Sequence, residues 1–111
     1  MLGIDLVYLS EFKIKLKSVQ LGKIFLEIEL AQNKSVESLA GIFAAKEAFF
    51  KATGRKGDWL SVWIEKNKNG KPQLKTLLFD NTQKIELSIS HAGEYAIAIV
   101  MKNDQGFFIK K

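Results

Sequence analysis

Residues 43–52, FAAKEAFFKA, set a carboxylate, Glu47, four positions before an ammonium, Lys51, in an otherwise apolar, helix-favouring stretch. Residues four apart on a helix share a face, so the two groups can address one ligand from neighbouring points. A carboxylate holds a divalent cation and a lysine holds a phosphate oxygen, the pairing that magnesium-dependent chemistry on a pyrophosphate needs. The same spacing also describes a solvent-facing Glu–Lys pair worth roughly 0.2–0.5 kcal/mol. Asp5 is a second candidate: a carboxylate in an apolar run, which calls for a cation, hydrogen-bond donors or solvent at a strand end. A third is Ser88-Ile89-Ser90-His91, where the chain's only histidine follows two alternating hydroxyls. A purely structural histidine fits that pattern as well.

These residues need elements to place them. Residues 2–7 suit a buried first strand. Ser10 can cap a helix in which Leu9, Phe12, Leu16 and Val19 recur at helical spacing, with Lys13 and Lys17 on another face. A short second helix covers 25–32, and Ser35 is placed to cap a long central helix. Val36, Leu39, Ala40, Phe43, Ala44 and Phe50 mark its buried stripe, and Gly54 ends it. From Trp59 the pattern turns to short extended segments: strands at 61–65 and 73–79 flank a turn at 67–72 containing Asn-Gly. Residues 84–90 alternate, with Ile85, Leu87 and Ile89 on one face and Glu86, Ser88 and Ser90 on the other. A tight connection at 91–94 leads into a strand at 95–101, followed by a tail carrying Phe107, Phe108 and Ile109. The expected whole is one α+β domain over residues 1–111, a long central helix packed on a mainly antiparallel sheet.

Bulk properties bound the function. With 47% hydrophobic residues, 26% charged and one proline in 111, the chain reads as globular rather than disordered. It contains no cysteine, which excludes disulfides, a thiolate nucleophile and cysteine-ligated metal, and fits a reducing cytoplasm. No signal peptide is visible at MLGID, and apolar runs such as 96–101 are too short to span a bilayer, so a soluble protein is expected. The net charge of +5 is concentrated at 31–57, which carries +3. A basic surface recruits anionic partners such as phosphorylated metabolites and acidic proteins. Arg55 is the only arginine and no aromatic-basic stripe is evident, so nucleic acid is not the expected partner.

Four segments in order, Gly3-Ile4-Asp5, FAAKEAFFKATG, Asn69-Gly70-Lys71-Pro72 and SISHAGEYAIAIV, resemble the holo-acyl-carrier-protein synthases, the small 4′-phosphopantetheinyl transferases. The resemblance covers nearly the whole chain. It implies transfer of the phosphopantetheine arm of coenzyme A to a serine of an apo-acyl carrier protein, as in fatty acid biosynthesis, releasing adenosine 3′,5′-bisphosphate. It also implies Mg²⁺ on the pyrophosphate, held by Asp5 and Glu47, and Lys51 on a phosphate oxygen. The serine would attack the β-phosphate directly, with Glu47 or a water on the cation as proton acceptor. Gly70, Lys71 and Pro72, together with Ser90 and His91, would hold the adenosine and 3′-phosphate end. Gly54 would let backbone approach the phosphates closely. Lys46 lies at a different helical angle from Lys51 and receives no role. A homotrimer with sites shared between subunits is implied as well.

Three positions depart from the family pattern. Tyr8 and Glu11 stand where an acidic residue and a carrier-facing arginine are usual, leaving Lys13, Lys15 or Lys17 to meet an acidic carrier. Ile42 stands where an arginine often contacts phosphate. The alternative reading is a non-catalytic relative that binds coenzyme A or a carrier protein.

Overall fold

The computed structural model describes residues 1–55, 57–79 and 84–103. In order along the chain lie β1 (Leu2–Tyr8), α1 (Leu9–Ser18), a 3₁₀ turn (Leu21–Lys23), α2 (Glu27–Gln32) and α3 (Val36–Thr53). They are followed by β2 (Val62–Lys66), β3 (Pro72–Thr76), β4 (Lys84–Ala92) and β5 (Tyr95–Asn103). The architecture is α+β, with α3 packed against an antiparallel sheet, as the sequence leads one to expect.

Helix α3 is the spine. Its alanines, lysines and glutamates favour helix, and the Ser35 hydroxyl caps it by accepting the Ser38 N–H at 3.0 Å. Gly54 closes it in the left-handed conformation, φ 75°, donating its N–H to the Phe50 carbonyl at 2.8 Å. The buried surface is wider than the expected stripe. Residues 39–46 and 48–50 are all buried, because β1 and β5 cover one side of the helix while α1 and the segment around Trp59 cover another. Helix α1 starts one residue before Ser10, so that hydroxyl sits in the first turn and not at the cap. The Leu9 N–H is instead taken by the Glu94 carbonyl at 2.8 Å, tying the helix start to the β4–β5 turn.

The strands do not form one continuous meander. β1, β5 and β4 make a three-stranded sheet in that order, and β2 with β3 forms a separate hairpin. The outer edge of β2 is satisfied by side chains rather than by a strand. Ile64 N–H donates to Glu29 Oε2 at 2.8 Å and Lys66 N–H to Gln32 Oε1 at 2.9 Å, both from α2. Strand β4 runs on to Ala92, so His91 lies within the strand, and the connection shortens to Gly93-Glu94, with Gly93 at φ 56°. The tail residues Phe107, Phe108 and Ile109 lie outside the described residues.

The expectation of a buried first strand holds on one face only. Gly3, Asp5 and Val7 face α3, whereas Leu2, Ile4, Leu6 and Tyr8 point away from it and are exposed. On the inner face these three lie opposite Val100, Ala98 and Ala96 of β5. The alternation therefore aims the Asp5 carboxylate at the helix. Gly3 lets the strand come that close: a Cβ there would fall 1.9 Å from the Ala48 carbonyl oxygen. No helix among the described residues is long and apolar enough to cross a membrane.

Candidate active site

The sequence separates Asp5 from Lys51 by 46 positions, and the fold joins them. The Lys51 ammonium donates to Asp5 Oδ1 at 2.9 Å and to the Ile4 carbonyl at 3.1 Å. The Asp5 side chain is only 13% exposed and that of Lys51 57%, so a nearly enclosed carboxylate is met by a mobile, largely solvated cation. Glu47, one turn earlier on α3 and half-buried, stands on a ridge between two depressions. On one side a cleft of about 170 Å³ is lined by Asp5, Tyr8, Glu11, Phe12, Lys15, Phe43 and Glu47. On the other, a pocket of about 550 Å³ is lined by Glu47, Phe50, Lys51, Gly54, Arg55, Gly57 and Trp59. Three carboxylates, Asp5, Glu11 and Glu47, face one lysine, Lys15, in the cleft, whereas Lys51 and Arg55 face only Glu47 in the larger pocket.

The donor set can be tested against a divalent cation. No cluster of three or more histidine, cysteine or acidic side chains suited to a metal forms among the described residues, which rules out an all-protein cage there. Magnesium does not need one, since it takes one or two carboxylates and completes its octahedron with water and phosphate oxygens. Asp5 already holds a cation, the Lys51 ammonium, and Glu47 lines the same cleft. Oxygen donors of this kind fit Mg²⁺.

Trp59 forms the wall of the larger pocket, and its position has a traceable cause. Its ring stacks on Phe43 at 5.1 Å and meets Phe50 edge-on at 5.0 Å. Its carbonyl accepts from the Lys46 ammonium at 2.9 Å. Lys46 and Glu29 are both fully buried and pair at 2.7 Å, and Lys46 also donates to the Ile24 carbonyl at 2.6 Å. Glu29 accepts in addition from the Leu26 and Ile64 N–H groups. Burial pushes the Lys46 ammonium below the usual lysine range, and the hydrogen bond and charge of Glu29 pull it partly back. Lys46, one residue before Glu47, is therefore a fastener beneath the site.

The remaining expected residues lie elsewhere in the protomer. His91 Nε2 is 2.9 Å from the Glu37 carbonyl, which only accepts, so the hydrogen sits on Nε2. That anchors His91 in the first half of α3, where its ring lies against Gly41, about 9 Å of helix from Glu47. Ser90 points the other way, onto the exposed face of β4 opposite Ile97. Gly70, at φ 82°, shapes the β2–β3 turn, where Asn67 Oδ1 accepts the N–H groups of Asn69 and Lys71. Lys71 and Pro72 border a separate depression with Lys75 and Lys84. Asp5, Glu47, Lys51 and Gly54 come together, whereas Ser90, His91 and the 70–72 turn line neither of their two pockets. Of the departures, Ile42 is buried and Glu11 lines the small cleft. Sequence reasoning assigned no site role to Trp59, Arg55, Tyr8 or Glu29; a tryptophan soon after a helix-ending glycine, and a sole arginine beside it, were the available signals.

Comparison with known proteins identifies the family and the fold. Residues 1–100 match the 4′-phosphopantetheinyl transferase superfamily. The chain is 40% identical over 110 residues to the holo-[acyl-carrier-protein] synthase of Nautilia profundicola, covering 91% of this chain and 97% of that one. It is also 40% identical to the synthase of Campylobacter fetus, with the same coverage. Among solved structures, the Helicobacter pylori holo-[acyl-carrier-protein] synthase in complex with coenzyme A has a TM-score of 0.78 at 25% identity, covering 93% of this chain and 100% of that one. The Bacillus anthracis synthase in complex with CoA (3′,5′-ADP) has a TM-score of 0.77 at 32% identity, covering 91% and 93%. This chain belongs to the 4′-phosphopantetheinyl transferase superfamily and is a transferase of that class.

Proposed function

We propose that residues 1–111 form one domain that moves the 4′-phosphopantetheine arm of coenzyme A to a serine of an apo-acyl carrier protein of fatty acid biosynthesis. In this reaction the serine Oγ bonds to the β-phosphorus, the bond from that phosphorus to the bridging oxygen breaks, and adenosine 3′,5′-bisphosphate leaves. The observation that carries the reading is the convergence of Asp5, Glu47 and Lys51 on one ridge between two pockets. Relatives named as holo-acyl-carrier-protein synthases, one of them solved with coenzyme A, support it.

Asp5 and Glu47 would hold Mg²⁺ through their carboxylates. When bound, the ion neutralises charge on the pyrophosphate as the leaving group departs. Lys51 contributes a point charge to the same oxygens, and Gly54 opens the helix end toward them. The pocket with Arg55 and Trp59 suits the anionic donor, and the cleft beside α1 suits the incoming serine. Lys13, Lys15 and Lys17, all exposed on α1, offer positive charge to an acidic carrier despite Glu11. Glu47 or a water molecule accepts the serine proton.

The assembly we propose is a cytoplasmic homotrimer. Leu2, Ile4, Leu6, Tyr8, Tyr95, Ile97, Ile99 and Met101 form a continuous, exposed apolar face on β1 and β5, paired across the ladder. An apolar face of this extent calls for a partner surface. Ser90, His91 and the Gly70-Lys71-Pro72 turn, distant from Glu47 in their own protomer, then serve the adenosine end of a neighbour's site.

Intact-mass spectrometry of an apo-acyl carrier protein incubated with the chain, coenzyme A and Mg²⁺ tests the reading. A gain of one phosphopantetheine arm that EDTA abolishes is expected. Several apo-carriers left unmodified by folded protein would reduce the chain to a binding relative.

A further inference from the structure

The cation next to Asp5 is the chain's own, the Lys51 ammonium. Lys51 Nζ sits 2.9 Å from Asp5 Oδ1 and 3.1 Å from the Ile4 carbonyl oxygen, so one ammonium bridges two oxygens of the strand that supplies a proposed metal ligand. A divalent ion and an ammonium cannot both occupy the near side of that carboxylate. Lys51 also lines the larger pocket with Arg55, on the opposite side of Glu47 from the cleft that contains Asp5. Its four-carbon stem and solvated end let the ammonium cross from one to the other. Asp5 has no such freedom, because Gly3 clamps β1 against the carbonyl of Ala48.

We propose that Lys51 is a stand-in cation that holds the Asp5 site closed to metal until a diphosphate ligand draws it away, so that diphosphate and divalent cation bind cooperatively through this one side chain. The inference rests on the proposed magnesium role of Asp5 and Glu47 and adds a second duty for Lys51. Before substrate it neutralises Asp5, and with substrate it moves to a phosphate oxygen and vacates the carboxylate. Metal alone must displace the lysine into water. Metal accompanied by a diphosphate displaces it onto an anion. By linkage, each ligand then tightens the other by the same factor.

Binding of Mn²⁺, followed by loss of the free-ion magnetic resonance signal, tests this on the full-length chain with and without coenzyme A. Lys51→Met is expected to bind Mn²⁺ without coenzyme A about two- to fivefold more tightly than wild type, the range set by an ion pair of this exposure. It is also expected to show a smaller gain in Mn²⁺ affinity when coenzyme A is added. Lys15→Gln, which removes a positive charge from the same cleft without touching Asp5, controls for the general field and is expected to change Mn²⁺ affinity less. Equal effects of the two substitutions, or unchanged affinity in Lys51→Met, overturn the stand-in role. If wild type with coenzyme A binds Mn²⁺ and Asp5→Asn loses it, such a result overturns that role alone. If no variant binds Mn²⁺ even with coenzyme A, the magnesium reading itself falls, and this inference with it.

Discussion

Helix α3 supplies the lysines, five residues apart, of two lysine–carboxylate pairs that do opposite work. Lys46 and Glu29 are wholly enclosed, 2.7 Å apart, and their spare hydrogen-bonding capacity is taken by backbone from Ile24, Leu26, Trp59 and Ile64. Lys51 and Asp5 are almost as close, at 2.9 Å, but the lysine is mostly in water. In the first pair separation leaves a charge stranded in the core; in the second it leaves a solvated lysine and a carboxylate ready for another cation. Burial, rather than distance, decides whether an ion pair is a rivet or a movable part. The rivet fixes Trp59 and the middle of β2, and so the pocket into which the movable lysine can turn.

The largest effect is expected where the rivet is cut. Lys46→Met strands the Glu29 carboxylate and should cost about 3–5 kcal/mol of stability in chemical denaturation. Adding Glu29→Gln should recover part of that loss; strictly additive costs would show that the two groups do not act as a pair. Lys51→Ala should barely move the unfolding midpoint, since the pair it breaks is exposed. Its turnover should instead fall by about 10²–10³, a loss of the size seen when one group that stabilises transition-state charge is removed. A large stability loss with normal turnover would reverse the comparison. Gly3→Ala should cost about 1–3 kcal/mol by forcing β1 off α3, and should lower transfer further than stability alone explains, because Asp5 moves with the strand. The smallest change in monomer stability belongs to the outer face. Ile99→Asp should leave folding within about 0.5 kcal/mol but shift sedimentation from the proposed trimer to monomer, with activity lost if the proposed shared sites come apart.

The long helix was readable because Ser35, Gly54 and an alanine- and phenylalanine-rich run between them carry local signals. Both hairpin turns were readable from glycine at left-handed positions, Gly70 and Gly93. Strand β1 misled because five of its six side chains are uncharged and largely apolar; only the pairing with β5 reveals which residues face α3. Asp5, Glu47 and Lys51 could be named from the sequence because helical spacing and a buried carboxylate are local facts, and the resemblance joined them. The Glu29–Lys46 pair could not, since 17 positions separate two residues whose types are common on surfaces. Nor did the sequence show that His91 would sit on the Glu37 carbonyl, in the first half of α3 and away from Glu47. That separation is a tertiary property, and it is what makes a shared site between subunits physically sensible.

We place transfer at the Asp5–Glu47 ridge on the proposed reading. The most direct measurement is the mass of an apo-acyl carrier protein after incubation with coenzyme A, Mg²⁺ and either wild type or Glu47→Gln, the variant first shown to be folded. Wild type should add one phosphopantetheine arm and Glu47→Gln should be slower by at least about 100-fold, since a lost metal ligand removes several kcal/mol of charge stabilisation. Near-normal transfer by Glu47→Gln would contradict the account and move the chemistry away from this ridge.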